Sequence, residues 1–185
     1  MRLKEKYQKE IVPALKETFS FKNSMLVPSL SKVVINVGCG RHAKNKEHLA
    51  AITDGLVKMS GQKPVFTLAK KSISAFKIRE GMTVGAKVTM RGARMYDFVE
   101  KLVNITFPRV RDFRGLDNKA IDGAGNMTLG FKDQSAFPEI SVEDSDNSFG
   151  LEICFDTSAS NCEEGLELFR LIGFPFKKEV KKESK

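Results

Sequence analysis

The apolar residues of this chain change their period several times, and that change restricts the fold more than any other feature. Leu3, Tyr7, Ile11, Leu15 and Phe19 recur every four residues with Val12 beside them, as one face of a helix does. Pro13 lies inside that stripe and removes a backbone donor, which predicts a kink or two short helices. Residues 31–37 then read as a strand dense in β-branched side chains, ended by Gly38-Cys39-Gly40. Helical spacing returns over 46–60 at Leu49, Ile52, Leu56 and Met59, with Gly61 placed to stop it. Residues 64–68 and 84–90 read as strands, the second weakened by Gly85. The polar, basic stretch 69–81 between them is a loop or hairpin tip. Met95, Phe98, Val99, Leu102 and Val103 mark another helix, which Pro108 should stop. Residues 109–125 have little periodicity, and loops that long are uncommon unless they do something. Two more strands, 126–132 and 151–156, precede a last helix over 161–172, with Asn161 as cap and Glu164 at the capping-box position.

Helix, strand, helix, strand, strand, helix, strand, strand, helix is an α+β order. It predicts an antiparallel sheet with helices packed on one face and the other face open for binding. Residues 1–178 form a single domain on this reading, with a helical N-terminal segment 1–20, and 179–185 is a basic tail expected to be disordered. A chain of 185 residues buries enough surface to need no metal or disulfide. Cys39, Cys154 and Cys162 are odd in number and far apart, which fits free thiols in a reducing cytosol. No apolar run reaches the roughly 20 residues that span a bilayer, and the N-terminus does not read as a signal or transit peptide. No membrane partner is expected.

Charge is distributed unevenly. The net charge is +8, yet residues 1–132 carry +14, residues 133–167 carry −10 with no Lys or Arg, and residues 168–185 carry +4. The basic stretch points to a polyanion, because each neutralised phosphate releases condensed counterions. The acidic stretch is expected to stay off an RNA and to face solvent or a basic protein.

Chemistry for catalysis is missing from the sequence. His42 and His48 sit among lysines without a second histidine or a cysteine at metal-ligand spacing, and both are expected in solvent. Gly38-Cys39-Gly40 lacks the remaining glycine or the Gly-Lys-Ser/Thr of a nucleotide loop. No enzyme activity, metal, cofactor or small-molecule substrate is expected. The turn still has a binding logic: Arg41, Lys44 and Lys46 stand beside a helix N-terminus that favours anions, and Lys63 precedes the next strand. Lys70, Lys71, Ser72, Phe76, Lys77 and Arg79 combine bases, hydroxyls and an aromatic ring, a mixture suited to phosphate, ribose and base contacts. Arg109, Arg111, Asp112 and Arg114 around Phe113 have the same character.

At these residues the chain resembles the bacterial large-subunit ribosomal protein five family, whose members carry 5S ribosomal RNA. The blocks are IVPAL (11–15), INVG (35–38), SGQKP (60–64), AKKSI (69–73), FKIREG (76–81), VTMRG (88–92), PRVRDFRG (108–115), FPEI (137–140) and FPFKK (174–178), in the family's order. The resemblance implies a non-catalytic constituent of the large subunit in the cytoplasm. It would bind 5S rRNA and seat it in the central protuberance beside large-subunit rRNA and neighbouring proteins. It would also touch peptidyl-site tRNA and bridge to a small-subunit head protein. The family's RNA contacts fall on Asn36, Gln62, Thr89 and Arg91, its tRNA-facing loop on 70–81, and part of its bridge on 109–115. Leu68, Ala93 and Ala124 depart from the common Lys, Glu and Arg, and 141–148 lacks the usual bases.

Overall fold

A period of four sustained from Leu3 to Phe19 does not stay on one face of a regular α-helix, because four residues turn 400° and the stripe drifts about 40° per step. The computed structural model, which describes residues 2–40, 45–140 and 148–177, shows how the chain absorbs that drift. Helices α1 (Leu3–Lys6) and α2 (Val12–Phe19) are joined without a break by a π turn, Tyr7–Ile11, which inserts one extra residue. Leu3, Ile11 and Leu15 are thereby buried, and Tyr7 and Phe19 pack against the core. Pro13 stands two residues past the π turn, at the start of α2, so in place of a gap between two short helices the helical segments follow one another directly.

The same device recurs in the second long helix. Helix α4 (Gly92–Lys101) passes through a π turn, Leu102–Thr106, into α5 (Phe107–Arg109). Pro108 again stands two residues past the π turn, and the helix runs through it to Arg109 rather than stopping before it. The remaining helices are α3 (Lys46–Ser60) and α6 (Cys162–Ile172). Gly61 ends α3 in the left-handed conformation, as its position predicts. The expected capping box of α6 does not form. The Asn161 side chain makes no cap bond, and Glu164 accepts from the Ser160 N–H at 2.9 Å instead.

Strands β1 (Leu30–Gly38), β2 (Val65–Leu68), β3 (Thr83–Met90), β4 (Met127–Phe131) and β5 (Leu151–Thr157) form one antiparallel sheet in the order β2-β3-β1-β5-β4. Val33, Ile35 and Val37 of β1, Ala86, Val88 and Met90 of β3, Met127 and Leu129 of β4 and Ile153 and Phe155 of β5 are buried on one face. They share a single core with Ile52 and Leu56 of α3, Phe98 and Val99 of α4 and Leu168 and Phe169 of α6. Each fully buried side chain of this size stabilises the fold by about 1.5–3 kcal/mol. The α+β expectation of helices on one face of an antiparallel sheet holds.

Gly85 does not merely weaken β3. A Cβ there would lie 2.7 Å from Thr67 Oγ1 and 3.0 Å from the Val37 carbonyl oxygen, so the close approach of β2 and β1 requires a glycine. His48, expected in solvent, is buried. It stands four residues before Ile52 and eight before Leu56, on the apolar face of α3. The three cysteines are free.

Candidate nucleic-acid interface

Alternation along the strands decides what the second face of the sheet offers. With Val33, Ile35 and Val37 turned inward, Lys32, Val34, Asn36 and Gly38 of β1 turn outward. Register carries the same face across the sheet: Val34 opposes Thr89 and Asn36 opposes Lys87 on β3, while Val34 opposes Cys154 and Asn36 opposes Glu152 on β5. Asn36, Lys87 and Glu152 are exposed, and Thr89 is half-buried.

Arg91 follows β3 directly, in extended conformation at the N-cap of α4, and is exposed. Gln62 and Lys63 lie just before β2, which runs antiparallel to β3 with Val65 opposite Lys87. They therefore stand at the Thr89–Arg91 end of the sheet. Arg94 Nη1 donates to the Gly61 carbonyl at 3.4 Å and ties this corner to α4. The Gln62 backbone is held by the Ser60 hydroxyl, which accepts from its N–H at 3.2 Å and donates to the Leu56 carbonyl at 2.6 Å. Asn36 and Thr89 thus lie on the open face, and Arg91 and the half-buried Gln62 stand at its β2–β3 corner. Among the described residues none of their side chains makes an internal hydrogen bond or ion pair, so their donors and acceptors remain unused. Asn and Gln offer both donor and acceptor, Thr suits a 2′-hydroxyl, and Arg forks onto phosphate or guanine.

Of the phosphate candidates, Lys63 is exposed beside Gln62, and Lys46 is exposed as the first residue of α3. The start of α3 is less open to an anion than its sequence implies, because Asn45 Oδ1 already accepts from the Glu47 and His48 N–H groups at 3.0 and 3.3 Å. Arg41, Lys44, His42, the acidic run 141–147 and the tail 179–185 lie outside the described residues.

The loop between β2 and β3 is a built hairpin tip. Ile73 and Ile78 exchange backbone hydrogen bonds at 2.9 and 3.1 Å, Lys77 adopts φ +55°, and the Ser72 hydroxyl accepts from the Glu80 N–H at 2.9 Å. Lys70, Lys71, Ser72, Lys77 and Arg79 are all exposed, and Phe76 is 72% exposed at the tip. This loop leaves β3 at the end opposite Arg91, so the structure does not bring it together with the sheet corner.

Segment 109–116 forms a third surface. The Leu116 N–H donates to the Pro175 carbonyl at 2.7 Å and the Lys177 N–H to the Leu116 carbonyl at 2.9 Å, which pins the segment to the chain after α6. The Phe113 ring stacks on Phe107 at 5.2 Å. Arg109, Arg111, Asp112 and Arg114 are exposed, and Asp112 holds a left-handed φ of +55°. Arg109, Arg111 and Lys132 rim a cleft of about 510 Å³ floored by Phe113 and Phe131.

Sequence reasoning missed Lys87 and Glu152. Lys87 alternates with Thr89 and could have been found from period two alone. Glu152 belongs to the acidic stretch expected to stay off the basic surface, and only the β1–β5 pairing sets it beside Asn36. Among the described residues no cluster of His, Cys, Asp and Glu could hold a metal ion.

Comparison with known proteins gives matches along most of the chain. Residues 23–79 match the family model described as ribosomal protein L5, and residues 83–176 match the model of that ribosomal family's C-terminus. The chain is 52% identical over 178 residues to large ribosomal subunit protein uL5 of Heliobacterium modesticaldum, covering 96% of this chain and 99% of the relative. It is 53% identical over 175 residues to the protein of that name from Desulforapulum autotrophicum, covering 95% and 98%. Against the Lactococcus lactis protein it is 51% identical over 177 residues, covering 96% and 98%.

Proposed function

This chain belongs to the ribosomal protein L5 family, and from that premise we propose that it binds 5S rRNA through the open face of its sheet. As a family member it is a structural constituent of the large ribosomal subunit, acts with the ribosome in the cytoplasm, and is not an enzyme. The observation that supports the finer reading is the set Asn36, Gln62, Thr89 and Arg91, four polar side chains without internal partners on one rigid face and its corner. The hairpin tip 70–81 contacts peptidyl-site tRNA in this proposal. Segment 109–115 meets a small-subunit head protein, and large-subunit rRNA and neighbouring proteins surround the rest.

The test is binding of the purified protein to 5S rRNA, a size-matched structured RNA and duplex DNA across a salt series. Preference for 5S rRNA that persists at high salt supports specific recognition. Equal binding that collapses with salt for all three marks a general basic patch and overturns the reading. Arg91→Ala and Gln62→Ala should each weaken 5S binding by about 1–3 kcal/mol. Unchanged affinity in both variants would move the site elsewhere.

A further inference from the structure

The open face of the sheet is laid out in columns of unequal charge. On β3 it presents Lys87 and, past the strand end, Arg91; on β1, Asn36 and Val34; on β5, Glu152 and Cys154. Lys87, Asn36 and Glu152 stand in one row, because Asn36 pairs with Lys87 on one side and with Glu152 on the other. Adjacent strands are about 4.8 Å apart, so the cationic column and Glu152 are separated by about 10 Å. The two acids that β5 turns to this face differ. Asp156 is held by Lys32 at 3.5 Å, whereas Glu152 is exposed and has no hydrogen bond or ion pair among the described residues.

We infer that Glu152 reads the amino-bearing edge of a base in the bound RNA, beside Asn36, while Lys87 and Arg91 follow the phosphates. This rests on the proposal that the open face binds 5S rRNA. An ionised carboxylate is an acceptor only. Against RNA it repels phosphate and pairs with N–H groups of bases, and guanine presents two of these side by side, matching the two carboxylate oxygens. The separation of the two columns suits a nucleotide laid across the strands, phosphate over β3 and base edge over β5. Single-stranded loops and bulges provide such splayed bases. Glu152 is then a specificity determinant in a row where Lys87 contributes affinity for any RNA.

The experiment compares the full-length protein with Glu152→Gln in binding to 5S rRNA and to a size-matched structured RNA at several salt concentrations. Glutamine keeps the shape and one acceptor but adds a donor and removes the charge. Binding to 5S rRNA should weaken about tenfold. The unrelated RNA should bind as well as before or better, so that the preference narrows. Equal tightening for both RNAs would make Glu152 only an electrostatic boundary, and no change for either would remove it from the interface; both outcomes overturn the inference. A wild-type protein without preference for 5S rRNA would overturn the parent reading instead, before the variant is compared. Glu152 has no internal partner among the described residues, so the variant should fold, and circular dichroism checks that it does.

Discussion

Lys101 joins three separate parts of the chain through one ammonium group. Its Nζ donates to the Met59 carbonyl at the end of α3 at 2.8 Å, pairs with Glu139 Oε1 at 2.6 Å and lies 5.4 Å from the Phe98 ring centre. Both partners of the ion pair are more than two-thirds buried, and Glu139 Oε2 is buried without a hydrogen-bond partner. Lys101→Met keeps the apolar stem and leaves the Glu139 carboxylate without its cation. It should lower unfolding stability by about 1–3 kcal/mol in urea titration. A midpoint equal to wild type would show that solvent replaces the ammonium at no cost. Such roles are hard to read from sequence, because the partners are distant in the chain. The outward placement of Asn36 and Thr89 was legible, since it follows from strand alternation. His48 was not: its lysine-rich neighbours describe the outer face of α3, while its spacing to Ile52 describes the inner one. Asn161 misleads because Ser160 offers its own N–H to Glu164.

Among the elements, the 122–126 turn and α6 meet through two glycines. The Asp122 carboxylate is held below the usual range, chiefly by the Asn126 N–H at 2.8 Å, with the Asn126 side-chain amide and the Ala124 N–H as further donors. Gly125 of this turn, at φ +78°, meets Gly165 inside α6 so closely that a Cβ on Gly165 would lie 2.5 Å from both Cα and O of Gly125. Glycine inside a helix ordinarily costs about 1 kcal/mol relative to alanine. Here the sign reverses, and Gly165→Ala should lose about 1–3 kcal/mol in thermal unfolding. A rise in Tm would mean that the turn moves aside freely. The strands and helices were readable from period and punctuation, and the two prolines were readable as trouble. What surrounds each proline was not, because local pattern names the missing donor but does not show that each ring follows a π turn by two residues. The strict four-residue spacing of the first helix did carry that signal, since a regular α-helix cannot keep it on one side.

For the whole molecule, the order β2-β3-β1-β5-β4 separates two surfaces along one strand. Arg91 and the 69–82 connection lie at opposite ends of β3, roughly 25 Å apart at about 3.3 Å per residue. Replacing Lys77 and Arg79 together by Ala should leave 5S rRNA affinity unchanged and weaken tRNA retention on ribosomes assembled with the variant. Equal loss of both would argue for a single continuous surface. The class of fold was legible because few arrangements bury this sequence of amphipathic elements. The sheet order was not, since no local property of β1 says that its neighbours are β3 and β5. That order also has a consequence in time. The central strand, residues 30–38, is synthesised well before its partner at residues 151–157. Until then a nascent chain holds β1 with one flank unpaired, its Asn36 without Glu152 alongside. Asn36, Gln62, Thr89 and Arg91 are thus all synthesised before the strand that completes the open face, and only the Glu152 side of that face waits for it.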